Sequence, residues 1–129
     1  MGVVMIVDSA GDVARDVVDA IAAQGRTHTT IERKSGRSAV SALQEGIPVD
    51  VIVADDRLAD MDGIELLASV RKIDPNVPLI MSSRNLSVEA YLKAVHAGVY
   101  DFIVRPISPP LLRRIMATAM KERGHARFP

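Results

Sequence analysis

Four consecutive apolar residues, Val51 to Ala54, run without polar alternation into two adjacent carboxylates, Asp55 and Asp56, and no other feature limits the fold of this chain as much. An unbroken apolar run of strand length fits a parallel strand covered on both faces, because a strand with one wet side would alternate. Asp55 then stands at the strand's carboxyl end, where open α/β sheets hold their ligands. Helical spacing resumes after Gly63 at Ile64, Leu67, Val70 and Ile73, so a short acidic loop leads from the strand into a helix. Taken alone, the acidic pair reads as punctuation between two elements. The other strand ends give it meaning.

Val3 to Val7 is a second apolar run and ends in Asp8, followed by Ser9, Ala10 and Gly11. Val13, Val17, Val18, Ile21 and Ala22 then keep helical spacing, so a helix is expected over Asp12 to Gln24 with Gly25 as its terminator. Thr27 to Arg33 is β-branched but mostly polar, which suits an edge strand. After Ser35-Gly36-Arg37 a short helix carries Ala39, Val40 and Leu43, and Gly46 to Pro48 returns the chain to the central strand. Leu79 to Met81 form a third buried run, ending in Ser82 and Ser83. Val88 to Ala97 reads as a helix with Ser87 as its N-cap and Gly98 as its stop. Phe102 to Val104 end in Arg105-Pro106, and Ser108-Pro109 opens a last helix whose buried stripe is Leu111, Leu112, Ile115, Met116 and Ala119, up to Gly124.

Strands alternating with helices over short connections imply right-handed crossovers and a doubly wound parallel sheet, here of five βα units. A chain of 129 residues fits one domain that buries roughly two-thirds of its unfolded surface. That domain is expected over residues 1–124, with 125–129 as a tail or the start of a linker. With no cysteine, disulfides, thiolate metal sites and a cysteine nucleophile are excluded. Sixteen basic residues balance sixteen acidic ones, which leaves no general field for nucleic acid or an anionic membrane. No apolar run approaches the roughly 20 residues of a membrane span, and the start of the chain lacks a signal peptide's features, so a cytoplasmic protein is expected. Two tyrosines, two phenylalanines and no tryptophan are too few for a base-stacking platform.

The carboxyl edge of such a sheet would gather Asp8, Asp55, Ser83 and Arg105 from four strands. Neighbouring carboxylates in a partly buried cleft repel each other and invite a shared proton or a hard divalent cation, of which Mg²⁺ is the expected one. An ionised aspartate beside a metal is also a nucleophile toward phosphorus. A hydroxyl and a cation on neighbouring strands would then contact phosphoryl oxygens. Singly, each residue has a plainer role: Asp8 as a cap of the first helix, Ser83 as a strand end, Arg105 as a structural ion pair.

With these strand ends in place the chain resembles the receiver domain of two-component response regulators, from Val3 to about Lys121. The markers are V-M-I-V-D ending at Asp8, D-V-I-V-A-D ending at Asp55, M-D-G at Met61 to Gly63, P-L-I-M-S-S ending at Ser83, and G-V-Y-D-F-I-V-R-P ending at Pro106. The resemblance implies a flavodoxin-like sheet of strand order 2-1-3-4-5. It implies that Asp55 accepts a phosphoryl group from a sensor histidine kinase or phosphotransfer protein, and that Asp8 and Ser9 occupy the acidic pair that positions Mg²⁺, with the backbone carbonyl of Arg57 as a further ligand. Ser83 falls on the hydroxyl that senses the phosphoryl group and Phe102 on the aromatic switch. Arg105 stands where the family has lysine, before a bond to Pro106 that is often cis in the family. The face of the fourth helix, fifth strand and fifth helix would exchange partners or form a homodimer.

The departures bear on mechanism. Ser9 is neutral and can meet Mg²⁺ only weakly or through water, and Asp56 would point to the opposite face from Asp55 if the strand pattern persisted. Arg105 keeps the charge of lysine but clamps a carboxylate in a plane. Leu58-Ala59 replaces the usual Met-Pro. The expected function is a phosphorylation-driven signalling switch, not a turnover enzyme. The rival is a pseudo-receiver of the same fold that binds partners constitutively. A flavin- or small-molecule-binding flavodoxin-like protein is disfavoured by the acidic first loop and the lack of aromatics. Direct binding of nucleic acid or membrane is not expected.

Overall fold

Strand and helix alternate through the chain as β1 (Val3–Val7), α1 (Asp12–Ala22), β2 (Thr29–Arg33), α2 (Gly36–Gln44), β3 (Val51–Asp55), α3 (Gly63–Ile73), β4 (Leu79–Ser83), α4 (Val88–Ala97), β5 (Asp101–Val104) and α5 (Pro109–Lys121). The computed structural model describes residues 2–22 and 28–122. The strands form one parallel sheet in the order β2-β1-β3-β4-β5, which puts the mostly polar β2 at an edge and β3 in the centre. The expected helix terminator Gly25, the first residue of the expected second strand, Thr27, and the tail after Glu122 lie outside the described residues.

The apolar runs are continuous because they feed two cores. Met5, Val7, Ile52, Ala54, Leu79, Met81 and Phe102 pack toward α2, α3 and α4, meeting Ala39, Leu43, Leu66, Leu67, Val70 and Ala94. The intervening residues Val4, Ile6, Val51, Val53, Ile80 and Ile103 pack toward α1 and α5, meeting Val13, Val17, Leu112, Ile115 and Met116. Successive strand side chains point to opposite faces, so a central strand must be apolar at every position to fill both layers. Among the described residues no helix is long and apolar enough to cross a membrane.

Local chemistry sets the helix ends. The Ser87 hydroxyl accepts from the Ala90 N–H at the start of α4, and Gly98 closes it at φ 95°, a left-handed conformation that favours glycine. Ser108 caps α5 with prolines in its first turn. One cap comes from a distance: Asp60, in the loop after β3, accepts from the N–H groups of Gly36 and Arg37 at 2.9 Å each, at the start of α2. These two backbone donors hold the Asp60 carboxyl below its usual range. Because the folded-state value is depressed, the stability Asp60 adds is present above the unfolded carboxylate value and is lost as pH falls through the folded one. Asp60→Ala should therefore lower the urea midpoint at neutral pH, and the gap to the native chain should close in strong acid. A gap unchanged by acid would remove the charge from this account.

Candidate functional site

At the carboxyl edge of the sheet, Asp8 and Asp55 end neighbouring strands one step beyond the Val7–Ala54 pair. Both are buried although both are acidic. Asp8 takes the plainer role: its Oδ2 accepts from Val13 N at 2.7 Å and Ala14 N at 3.2 Å, and its Oδ1 from Ala10 N at 3.0 Å. It thus supplies partners for the otherwise unpaired N–H groups of the first turn of α1. Asp55 Oδ1 accepts from Arg57 N at 3.2 Å, which sets the Arg57 peptide beside the Asp55 carboxyl.

Burial raises the Asp55 carboxyl above its ordinary value. The Arg57 N–H works against that, the neighbouring Asp56 carboxyl raises it further, and the Arg105 charge lowers it. The strand itself ends at Asp55.

Arg105 follows β5 across a cis bond to Pro106. Its side chain is 8% exposed and places NH2 3.6 Å from Asp55 Oδ2 and NH1 3.9 Å from Asp12 Oδ2. None of its three guanidinium nitrogens makes a hydrogen bond. Asp12, at the start of α1, also pairs with Arg84, the residue after β4. The Arg84–Asp12 pair joins the β1 side of the sheet to the β4 side across the end of β3.

Ser9 does not face the acids with its proton. Its hydroxyl donates to the Lys34 carbonyl at 2.8 Å and accepts from Ala59 N at 3.2 Å, tying three loops together. Ser83 is buried, and its hydroxyl donates to the Asn85 carbonyl and accepts from Asn85 N, both at 3.1 Å. Phe102 is buried and meets Tyr91 of α4 edge to face, with ring centroids 5.9 Å apart. The M-D-G turn has a steric basis: a Cβ on Gly63 would lie 3.2 Å from the Asp56 Cα and 2.8 Å from the Met81 Cε.

The structure thus brings Asp55 and Arg105 together, commits Asp8 on the neighbouring strand end to the start of α1, sets Ser83 at the end of β4 on the other face of the sheet, and turns Ser9 aside. Sequence reading missed Asp12, Arg84 and Asp60. The only signal for Asp12 was its place at a helix start, and no local pattern pointed to the other two.

A doubly wound parallel sheet with acids at its switch-point edge defines a class of open α/β modules that bind ligands outside the carboxyl ends of their strands. Within that class, the profile of the response regulator receiver domain matches residues 4–117. The chain belongs to that family. The luminescence regulatory protein LuxO of Vibrio campbellii is 34% identical over 88 residues, 68% of this chain and 19% of that protein. The regulatory protein AtoC of Escherichia coli is 30% identical over 119 residues, 92% of this chain and 25% of that protein. The chain therefore spans about a fifth to a quarter of these curated relatives. The receiver domain of the Francisella response regulator 1452 superposes with a TM-score of 0.80 at 26% identity, covering 94% of this chain and 98% of that one. A CheY-like receiver domain protein of Methanospirillum hungatei reaches 0.82 at 21% identity, with 95% of each chain covered, and shows the shared fold.

Proposed function

We propose that this receiver, taken as residues 1–124, accepts a phosphoryl group on Asp55 from a sensor histidine kinase or phosphotransfer protein and thereby switches its partner contacts. The observation that carries the reading is the buried, ionisable Asp55 held 3.6 Å from a buried guanidinium that has no hydrogen bond. An Asp55 oxygen attacks phosphorus; the O–P bond forms as the N–P bond of phosphohistidine breaks, and its electron pair leaves with the imidazole nitrogen. Arg105 orients the phosphoryl oxygens, a task its planar fork suits. Ser83 exchanges its Asn85 contacts for the phosphoryl group, and Phe102 moves with it at the face of α4, β5 and α5. That face is also where a homodimer would form.

The donor set fits a hard cation, with fewer charges than the family pattern provides. Asp8, Asp55 and the Arg57 carbonyl would hold Mg²⁺, while the Ser9 hydroxyl is committed elsewhere. Among the described residues no three acids or histidines are grouped to hold a metal. When bound, Mg²⁺ offsets the negative charge shared by the carboxylates and the phosphoryl oxygens.

The test is intact mass after incubation with acetyl phosphate across a Mg²⁺ titration, beside Asp55→Asn and Ser9→Asp. The native chain should gain one phosphoryl group with Mg²⁺, Asp55→Asn none, and Ser9→Asp should need less Mg²⁺. A native chain that gains nothing, while a competent receiver run alongside does, would instead indicate a phosphorylation-independent interaction module.

A further inference from the structure

The strand row that carries Asp55 also carries a second buried hydroxyl. Along β3 and β4 the paired residues share faces: Ile52 with Leu79 and Ala54 with Met81 lie toward α2–α4, and Val53 with Ile80 lies toward α1 and α5. The next pair, Asp55 with Ser82, takes the α1/α5 side. Ile103, the partner of Ser82 on β5, lies in that same layer. Ser83 falls on the opposite face, where Asn85 occupies its hydroxyl. Ser82 is 1% exposed, and its Oγ makes no hydrogen bond.

A buried hydroxyl without a partner is destabilising, and an apolar side chain between Ile80 and Ile103 would avoid that penalty. The Arg105 guanidinium, which reaches Asp55 from the end of β5, next to β4, likewise makes no hydrogen bond. Two buried polar groups that make no hydrogen bond thus stand beside one carboxylate, Ser82 on the neighbouring strand at a strand spacing of about 4.8 Å. What both lack is an acceptor-rich group at Asp55, and a phosphoryl group adds three strong acceptor oxygens. Local rules broken at one place mark a functional site more often than an error of packing.

We propose that Ser82 is a second phosphoryl-binding residue. Once Asp55 is phosphorylated, the Ser82 hydroxyl donates to an oxygen of the acyl phosphate, and its own oxygen accepts from Arg105. The inference rests on Asp55 as the acceptor. It separates the work of the two serines: Ser82 binds from the row of the acceptor, and Ser83 switches.

The experiment is calorimetric binding of beryllofluoride, a non-transferable mimic of the phosphoryl group, to the full chain with Mg²⁺. Ser82→Ala should weaken binding roughly tenfold, the effect of one hydrogen bond to a charged group. Ser82→Thr, which keeps the hydroxyl, should bind as the native chain does. Ser82→Cys, a similar volume with a weak donor, repeats the loss and decides the matter should the alanine variant fail to fold. Native affinity in the alanine and cysteine variants overturns the role of Ser82 and leaves Asp55 standing. A native chain that neither binds beryllofluoride nor gains a phosphoryl group removes both.

Discussion

Replacing Arg105 with methionine is expected to slow phosphoryl acceptance at Asp55 by about two orders of magnitude and to cost the fold less than the loss of a well-made buried ion pair would. The two effects have different origins. The guanidinium is the buried cation nearest the acceptor, so its charge is most needed when negative charge accumulates at phosphorus. In the resting protein the same charge is a burden: it is desolvated, its ion pairs at 3.6 and 3.9 Å are too long for hydrogen bonds, and no other group satisfies its nitrogens. Methionine removes that burden but leaves the buried Asp55 carboxyl without its partner, a change that costs about 3–5 kcal/mol where the pair is well made; the long contacts of the guanidinium make the net cost smaller here. Asp55 loses an attraction that lowers its pKa, so the acid limb of the rate profile should move to higher pH, because the carboxylate must be ionised to attack. Arg105→Lys should recover part of the rate. Chemical denaturation and phosphorylation kinetics on the same preparations check both halves. A loss of about 3 kcal/mol or more in the methionine variant would mean that the guanidinium is well paired in the resting protein.

Leu66→Ala is expected to cost roughly 2–5 kcal/mol, a large part of the about 5–15 kcal/mol that a domain of this size holds in reserve. Leu66 is fully buried on α3, in the layer between the sheet and α2–α4. Its neighbours there, Leu67 and Val70 from its own helix and Ile52, Leu79 and Met81 from the central strands, are as fully enclosed. They hang from a rigid sheet on one side and a capped helix on the other, so little can move in to fill the space of the lost atoms. Urea denaturation reads the loss directly. A cost below about 1 kcal/mol would show that this layer collapses around the cavity and is looser than its burial indicates. The α1/α5 layer is a separate cluster, so a paired substitution at Leu112 should add to the Leu66 effect nearly independently.

Much of the architecture is written in local pattern. Ser87 and Gly98 bound α4 where the cap and terminator rules place them, and Ser108-Pro109 opens α5. The unbroken apolar runs mark the covered strands and the polar Thr29–Arg33 marks the edge strand. The strand order followed from the family resemblance; the polar edge strand agrees with it. Each of these signals is short in range: a hydroxyl capping an N–H three residues on, a glycine taking a positive φ, side chains alternating along one strand. Asp8 and Asp55 were legible for the same reason, since each simply ends its own strand.

What the sequence could not settle depends on distance along the chain. Asp60 reaches α2 from 24 residues away, Asp12 meets Arg84 from 72 residues away, and Ser9 spends its hydroxyl on Lys34 and Ala59. The division between the two serines is the clearest case. Ser82 and Ser83 are adjacent and chemically identical in the sequence, and only the register of β4 against β3 decides which one shares a face with the acceptor. Local pattern, hydrophobic spacing together with caps and β-branched residues, determined which segments are strands and helices, because these signals act over a few residues. The tertiary structure decided which polar groups meet, because strand register and loop closure are long-range properties that no short stretch of sequence encodes.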